Sequence, residues 1–555
     1  MPHDLNATSN TLRVLIPTSP HQTRPAKLFR AQQAASMDVE KGRVPDNNVI
    51  APASDQESVR PEMGSRAGRK SGSGNSTGRG SGGFLPTVLR FLNRAEARGI
   101  APVPVEERTE KRAFNVFTLW WTMNANILAI TFGMLAPSFG LGLRDASLVI
   151  IFFSLLTAAP TSYLSTLGPK TGMRQMVQAR YSWGRYLVTL PVILNLATLT
   201  GFCVVMAVIG GQCLSAVAGE GSLTPNVGIV IMALLSLFIS FCGFRVLHFY
   251  ERWASIPAVI AIVVATGCGG EGLKLQSTPP VATVTAVFSF GMIVASYMIP
   301  WAALASDFTT YLEPSTPAIK IFAYSFAGLV TPPVLLMILG AAIAGAVPLN
   351  PTWEAGYDRN LVGGVLDAML TPAGGFGKFL VVVLSFSLLG NLSATSYSVS
   401  LNLQQLFAPL TRGSEILKRV PRYAYTILLT ALVIPIGIRA AQDFFVSLEN
   451  FLGLIGYWSA AFVSLLMVEH LWFRAGDCDS YDPAIWNDGA RLPIGVAALV
   501  SSVLSFLLVV PSMSQVWWTG PIARVTGDLG FEFAFVVTGL LYVPFRTLEK
   551  HLTKR

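Results

Sequence analysis

Two apolar segments of this 555-residue chain carry polar, aromatic and helix-breaking side chains that suit the binding of a small uncharged ligand. The first contains Asn124, Asn126 and Pro137, and the second contains Pro300 and Asp307. The sequence has no phosphate-binding loop, nucleophile elbow or HExxH motif, and none of the five histidines is paired at metal-ligand spacing within an apolar segment. It therefore favours ligand binding or transport over catalysis, and it predicts neither a metal site nor a cofactor.

The elements that must position these side chains are about twelve long apolar segments, and no Lys or Arg lies in the middle of any of them. The chain is 52% hydrophobic and 13% charged. A charge at the bilayer centre costs roughly 2.5–3.5 kcal/mol on insertion scales, and about 20 apolar residues cross the hydrocarbon. We predict an all-α polytopic membrane protein. Its predicted spans 1 to 12 are 117–139, 146–166, 187–217, 226–244, 255–270, 283–306, 320–346, 376–402, 423–441, 446–472, 492–512 and 529–546.

The distribution of the 40 basic residues predicts the orientation of these spans. With both termini inside, only six basic residues lie in outer loops or at outer helix ends. These six are Arg144, Lys274, Arg359, Lys378, Arg439 and Arg524. Because Lys and Arg favour the cytoplasmic side, both termini are expected in the cytoplasm. The net charge of +9 then reflects membrane orientation and not nucleic-acid binding.

The polar N-terminal part of the chain is distinct from the apolar part. Residues 1–83 are rich in Ser, Gly, Pro and Arg, and such a segment is expected to be a disordered cytoplasmic tail. Residues 84–115 are predicted to be an amphipathic or linker segment, since 84–98 mix apolar and basic residues at helical spacing. The transporter domain is predicted over 116–546, followed by a short cytoplasmic C-terminal tail, 547–555.

The two segments with helix breakers are predicted spans 1 and 6, which stand five spans apart. Broken helices at matching positions of two repeats indicate a transport site near the middle of the membrane. The alternative is a simple proline kink, which is common in membrane helices. The matched pair favours transport.

At this point the chain resembles the purine–cytosine permease branch of the nucleobase–cation symporters, in its fungal form. The matching segments are 98–109 (RGIAPVPVEERT), 168–182 (GPKTGMRQMVQARYS), 449–458 (ENFLGLIGYW), 486–488 (WND) with 492–493 (LP), and 515–521 (QVWWTGP). The resemblance implies the leucine-transporter fold, with two inverted five-helix repeats followed by two C-terminal helices. It also implies import of a small heterocyclic substrate across the plasma membrane.

The resemblance further implies substrate contacts on helices 1, 3, 6 and 8. Trp301 matches the family tryptophan that stacks on the substrate ring, and Asn391 matches the first Asn of the helix 8 motif. The remaining positions that correspond to family contacts are Thr395, Phe202, Met206, Thr122 and Asn126.

Four positions depart from the family pattern. Ala394 and Thr395 replace a Pro and an Asn in helix 8, and Phe202 and Met206 replace a Trp and an Asn or Gln in helix 3. Phe202 and Trp301 can still sandwich a ring. A Thr or Met offers fewer hydrogen bonds than an amide, however, so purine-like, modified-base, pyridoxine (vitamin B6) and allantoin substrates all remain open.

The coupling ion is predicted to be a proton. Sodium-driven relatives place hydroxyls where this chain has Leu389 and Gly390, which offer no side-chain oxygen for a hard cation. Asp307 and Glu449 are the candidate proton carriers. Asp307 could instead accept local backbone hydrogen bonds, and Glu449 could be a carboxylate at a helix start.

Two other classes of protein were weighed against this one. A major-facilitator transporter would show an acidic–basic signature between helices 2 and 3 and a long loop between helices 6 and 7, and this chain has neither. A sensor that binds ligand without moving it stays open. Tyr457 and Trp458 could belong to an outer gate or to packing. The sequence does not indicate an oligomeric state.

Overall fold

A computed structural model describes residues 99–218, 222–241, 253–279, 281–407 and 422–555. The predicted tail 1–83 and the predicted amphipathic helix 84–98 lie outside these ranges. Residues 99–113 form turns around one short 3-10 helix, Val105–Glu107. The described part of the predicted 84–115 segment is therefore a loop, and the first long helix begins at Phe114.

The described residues of the first half are mostly α-helical. In chain order they are α1 Phe114–Asn124, α2 Ile127–Gly133, α3 Leu143–Ser165, α4 Leu167–Thr171, α5 Gln175–Gln178, α6 Arg180–Leu187, α7 Thr189–Ala218, α8 Pro225–Phe241, α9 Ser255–Cys268, α10 Gly270–Leu273 and α11 Val284–Met298. Two further 3-10 helices are Ala136–Phe139 and Ile299–Phe308.

The second half is also helical, apart from one small hairpin. Its α-helices are α12 Ala318–Ala346, α13 Pro351–Leu370, α14 Gly374–Phe407, α15 Arg422–Ala440, α16 Phe444–Val468, α17 Val496–Ser512, α18 Ala523–Thr526 and α19 Gly530–Thr553. Short 3-10 helices are Val347–Leu349, Thr371–Ala373, Ala441–Asp443 and Pro483–Ile485, and Glu469–Phe473 is a π-helical turn. Strands β1 Ser514–Gln515 and β2 Trp518–Thr519 pair antiparallel.

Each of the twelve predicted spans coincides with an apolar helix in the described residues. Seven helical stretches are long and apolar enough to cross a membrane, and the bent pair α1–α2 makes an eighth. One of the seven, Ala424–Phe473, covers predicted spans 9 and 10. Three shorter apolar helices, α8, α9 and α17, cover spans 4, 5 and 11. The prediction of an all-α polytopic membrane protein is therefore confirmed.

The structure shows three details that the prediction did not contain. The connection between α12 and α14 contains the helix α13, which is broken at Asn360 and Leu361 and is not apolar enough to suggest a helix from hydropathy alone. A two-stranded hairpin lies between α17 and α18. The last helix runs to Thr553, so most of the predicted C-terminal tail 547–555 is helical.

Span 1 is broken in the middle, as predicted. Helices α1 and α2 meet at an angle of 59°. The break lies at Ala125 and Asn126, whose backbones leave the helical region. The Asn126 side chain then caps α2 by accepting the N–H of Leu128 at 3.0 Å, because an Asn oxygen can satisfy a free N–H at a helix start.

Span 6 is interrupted in a different way. It is α-helical to Met298 and continues as a 3-10 helix from Ile299 to Phe308. Pro300 stands at the start of the 3-10 segment, where a residue without an N–H does not remove a helical hydrogen bond. Span 1 therefore has irregular backbone at membrane depth, which protein must surround. Span 6 stays helical throughout and changes only its hydrogen-bond pattern.

Helices α2 and α12 are in direct backbone contact. A Cβ added to Gly133 would lie 1.9 Å from the carbonyl oxygen of Met337, and one added to Gly340 would lie 2.0 Å from that of Ile130. Only glycine fits at these two positions, since any side chain would push the helices apart. The second half of span 1 is thus fixed against span 7.

The loop between α3 and α7 is held by the loop between α16 and α17. Arg180 is buried, donates to the carbonyl of Trp486 at 3.2 Å and to Asn487 Oδ1 at 3.0 Å, and stacks on the Trp486 ring. Burial, and then the charge of Arg185, lower the pKa of Arg180 to about 10. Two of the sequence segments that carry the family resemblance are therefore in contact.

A buried group of charges binds α19 to its neighbours. Arg546 Nε donates to Glu469 Oε2 at 3.2 Å, and Tyr542 donates to the same oxygen at 2.9 Å. Glu549 Oε1 accepts the N–H of Gly495 at 2.7 Å, immediately before α17 begins. A buried charge is tolerated when it is paired and hydrogen-bonded in this way, and here the pairing attaches the last helix to the π-helical turn after α16 and to α17.

Candidate functional site

A small cavity lies where span 6 meets helices α7 and α14. The described residues that line it are Leu199, Phe202, Pro300, Trp301, Asn391 and Thr395. Four of the seven predicted substrate contacts are among them, and they come from three separate elements. The cavity volume open to the centre of a water molecule is about 10 Å³, which is room for about one water.

The two aromatic rings of the cavity are held by other aromatic rings. Phe202 packs edge-on against Phe451 of α16, with ring centroids 5.4 Å apart. Trp301 packs edge-on against Trp120 of α1 at 5.6 Å. Edge-to-face pairs of this kind fix the orientation of a ring. Both Phe202 and Trp301 are more than nine-tenths buried, so their remaining free surface faces the cavity.

Asn391 is bound to the broken part of span 1. Its Nδ2 donates to the carbonyl oxygen of Met123 at 2.8 Å, and Asn126 Nδ2 donates to the same oxygen, also at 2.8 Å. The two amides use both lone pairs of a carbonyl that the helix break has freed. Thr395 Oγ1 donates to Asn391 Oδ1 at 3.1 Å, which completes the network on α14. The amide of Asn391 is thus an organiser of the break as well as part of the cavity wall.

Three predicted contacts lie outside the set of residues that line the cavity. Asn126 caps α2, as described above. Thr122 donates to Ser255 Oγ of α9 at 3.4 Å, so it faces a neighbouring helix. Met206 is fully buried in the core, one turn of α7 beyond Phe202. In this conformation these three side chains serve helix packing and capping, and their role as substrate contacts stays a prediction.

Asp307 lies at the inner end of the 3-10 segment of span 6. Its Oδ1 accepts the N–H of Gln175 at 2.7 Å, and Gln175 Oε1 accepts the N–H of Ser306 at 3.2 Å. The carboxylate therefore accepts a backbone hydrogen bond at the start of α5, which is the role weighed from the sequence as the alternative to proton carrying. A proton-carrying role for Asp307 stays a prediction.

Glu449 is not at a helix start. Helix α16 begins at Phe444 and has no acidic residue in its first turn, so Glu449 lies in the second turn, half-buried. The helix dipole acts within the first turn, and it therefore does not account for this carboxylate. Its role as a proton carrier remains a prediction.

Tyr457 and Trp458 both make buried hydrogen bonds. The Tyr457 hydroxyl donates to Asp528 Oδ2 and accepts from Gln515 Nε2 at 2.7 Å, and Trp458 Nε1 donates to Thr198 Oγ1 at 3.0 Å. Burial raises the pKa of Asp528, although its hydrogen bonds oppose that shift. These contacts agree with the packing interpretation of both aromatic residues.

Two cavity residues were missed from the sequence. Pro300 was identified only as a helix breaker, although it directly precedes Trp301. Leu199 lies three residues before Phe202 on α7, and residues three apart share a helix face. That spacing was the available signal, but an apolar residue in an apolar helix does not stand out.

A buried cavity beside a broken span and a span that changes helix type is typical of transporters of the broken-helix class. The comparisons with known proteins agree. A family described as permeases for cytosine/purines, uracil, thiamine and allantoin matches residues 102–519. Because the match extends over most of the chain, the chain belongs to this permease family.

Curated relatives support the same assignment. The chain is 32% identical to the purine-cytosine permease fcyB of Emericella nidulans, over 82% of this chain and 89% of that protein. It is also 32% identical to the purine-cytosine permease FCY2 of Saccharomyces cerevisiae, over 82% and 86%. The vitamin B6 transporter TPN1 of S. cerevisiae is 28% identical, over 84% and 91%.

Solved structures show the fold. The nucleobase-cation-symport-1 family transporter Mhp1, in a closed conformation with bromovinylhydantoin bound, aligns with a TM-score of 0.60 at 15% identity. The match covers 82% of this chain and 96% of that one. The inward-facing conformation of Mhp1 aligns with a TM-score of 0.61. The predicted leucine-transporter-like fold is therefore confirmed.

Proposed function

We propose that this protein is a secondary active transporter that imports a planar, uncharged nucleobase-like heterocycle of the purine and cytosine class. The observation that carries the proposal is the cavity that Phe202, Trp301, Asn391 and Thr395 line together. Two aromatic rings can hold a flat ring between them, while an amide and a hydroxyl offer polar contacts at its edge. The relatives named as purine-cytosine permeases support this substrate class.

The size of the cavity supports transport by alternating access. A heterocyclic ring is several times larger than the single water that the cavity can hold, so the helices must separate for the substrate to reach it. Both interrupted spans border the cavity or its supporting network, and such breaks let half-helices move separately. Labelled cytosine and adenine should accumulate in intact cells that express the protein, and binding without accumulation would instead indicate a sensor.

The departures from the family pattern predict weak cytosine transport. We expect Thr395→Asn to raise cytosine uptake about 3- to 10-fold, because an amide supplies a paired donor and acceptor at the cavity wall. Met206→Asn should raise it less, since Met206 lies outside the lining residues. Initial rates of labelled cytosine uptake at matched surface expression test this. Cytosine uptake by the parent protein with a low half-saturating concentration would show that these departures do not weaken cytosine transport.

Vitamin B6 is a second candidate substrate, and allantoin is a third. The loss of two family amides, at Met206 and Thr395, leaves a less polar site, and the similarity to a vitamin B6 transporter favours pyridoxine over allantoin. Competition of labelled adenine uptake by unlabelled purines, pyrimidines, pyridoxine and allantoin separates these candidates. The compound that competes at the lowest concentration identifies the preferred class.

We propose that a proton is the coupling ion. The family positions for sodium ligands are Leu389 and Gly390 in α14, which have no side-chain oxygen. Asp307 and Glu449 are the candidate carriers. Uptake should fall at least about 5-fold when a proton ionophore removes the proton gradient. It should not change when choline replaces sodium, because only an ion that binds to the transporter can drive uptake of the substrate. Uptake that needs sodium and resists the ionophore would refute proton coupling.

We further propose the plasma membrane as the location, with both termini in the cytoplasm. The support is the asymmetry of Lys and Arg between the two sides. The domain division into a 1–83 tail, an 84–115 linker and a 116–546 transporter domain also remains a proposal.

A further inference from the structure

One face of α14 continues as a polar stripe beyond the cavity. Asn391 and Thr395 line the cavity, and Ser398 and Asn402 follow at spacings of three and four residues. Residues at these spacings lie on the same side of a helix. All four side chains are more than nine-tenths buried. The stripe therefore runs through the protein interior and not along the lipid.

Helix α7 presents a matching face. Leu199 and Phe202 line the cavity, and Asn195 lies one turn before Leu199 on the same side of the helix. Helices α7 and α14 pack along one another. The seam between them thus contains the cavity at one level and Asn195 and Asn402 at another.

Asn195 and Asn402 form an incompletely bonded amide pair. Asn195 Nδ2 donates to Asn402 Oδ1 at 3.3 Å, and Asn402 Nδ2 donates to the carbonyl of Ser398 at 2.9 Å. Asn195 is fully buried, yet its Oδ1 has no hydrogen-bond partner among the described residues. Buried polar atoms without a partner are rare in native proteins, and each one calls for an explanation.

The position of the Asn195–Asn402 pair suggests an explanation for the unpartnered oxygen of Asn195. Asn402 lies seven residues beyond Thr395, which is about 10 Å along the helix axis. In the proposed topology α14 runs inward, so the pair lies on the cytoplasmic side of the cavity. A substrate released to the cytoplasm along this seam meets the two amides next.

We propose that Asn195 and Asn402 form a second binding subsite for the heterocycle, on the cytoplasmic side of the cavity, which becomes available when the two amides separate. This inference rests on the proposed function. Each amide offers a donor and an acceptor side by side, which matches the edge of a planar N-heterocycle. In the closed state the amides bond to each other, and the free oxygen of Asn195 is the acceptor that the substrate satisfies.

The test compares transport from the two sides of the membrane. In inside-out vesicles, Asn195→Leu and Asn402→Leu should each raise the half-saturating concentration of labelled cytosine or adenine about 5- to 10-fold, as expected for lost hydrogen bonds. In right-side-out vesicles the change should stay below about 2-fold, since the cavity itself is intact. A purely structural role would change both sides, so equal changes, or no change on either side, would overturn the subsite.

The controls separate this inference from the proposed function. Thr200→Val is the matched control, because Thr200 lies on the same helix and bonds only to the carbonyl of Leu196. If the leucine variants do not reach the membrane, Asn195→Ser and Asn402→Ser keep polarity without the paired amide and should show the same one-sided change. Absence of saturable uptake of both compounds by the parent protein would overturn the proposed function itself.

Discussion

Trp301→Ala should reduce substrate uptake at least about 30-fold, the largest effect we expect from a single substitution in the cavity. The indole supplies one of the two ring faces that hold the substrate, and its loss removes both stacking and apolar contact, together worth about 2–3 kcal/mol. The substitution also removes the partner of Trp120 in the edge-on pair. Initial uptake rates and half-saturating concentrations of labelled adenine measure the effect.

Two further variants make this result specific. Trp301→Phe keeps an aromatic face and should lose only about 3-fold, as expected for a smaller stacking surface. Trp517→Ala removes a tryptophan that is 62% exposed in the outer hairpin and should leave uptake within about 2-fold, as surface substitutions usually do. If Trp301→Ala retains uptake like that of Trp517→Ala, Trp301 does not contact the substrate.

Asn391→Ala should reduce uptake about 10- to 30-fold, because it disturbs both the cavity wall and the break in span 1. The carbonyl of Met123 would keep only the Asn126 donor, and the loss of one hydrogen bond costs about 0.5–1.5 kcal/mol. Thr395 would also lose its acceptor. We expect a lower maximal rate as well as weaker binding, because the break itself takes part in closing the site.

Asn391→Asp separates the effect of losing the N–H donor from the effect of changing the shape of the side chain. It is nearly isosteric but places a carboxylate oxygen against the Met123 carbonyl, so we expect a loss at least as large as that of Asn391→Ala. Ser387→Ala is the matched control on the same helix, because its hydroxyl bonds only to the carbonyl of Leu384. Near-normal uptake by Asn391→Asp would show that the hydrogen bond to Met123 is not needed.

The architecture could be predicted from the sequence because a bilayer imposes simple rules. Apolar length and the exclusion of charge located all twelve spans, and the breakers in spans 1 and 6 located both interruptions. Helix α13 escaped prediction because its mixed polarity resembles a loop as much as a helix. The family resemblance then located four of the cavity residues, which physical patterning alone would not have separated from ordinary apolar and aromatic positions.

The rest of the site depends on backbone geometry that residue types do not reveal. Thr122 and Asn126 were expected to reach the substrate, but the bend of span 1 directs one to α9 and makes the other a helix cap. The double acceptor role of the Met123 carbonyl was invisible, since any residue could supply that oxygen. The Asn195–Asn402 pair joins residues 207 positions apart, and only the packing of α7 on α14 brings them together.

The glycine contact between α2 and α12 has a mechanical consequence. At this contact the two helices have no side chains between them. If one helix slid or tilted independently, its backbone atoms would collide with those of the other. Any rearrangement that opens the cavity must therefore move α2 and α12 together as one rigid body, or leave both in place. Replacing either glycine would disturb the packing and the joint movement of these two helices, although neither glycine contacts the ligand.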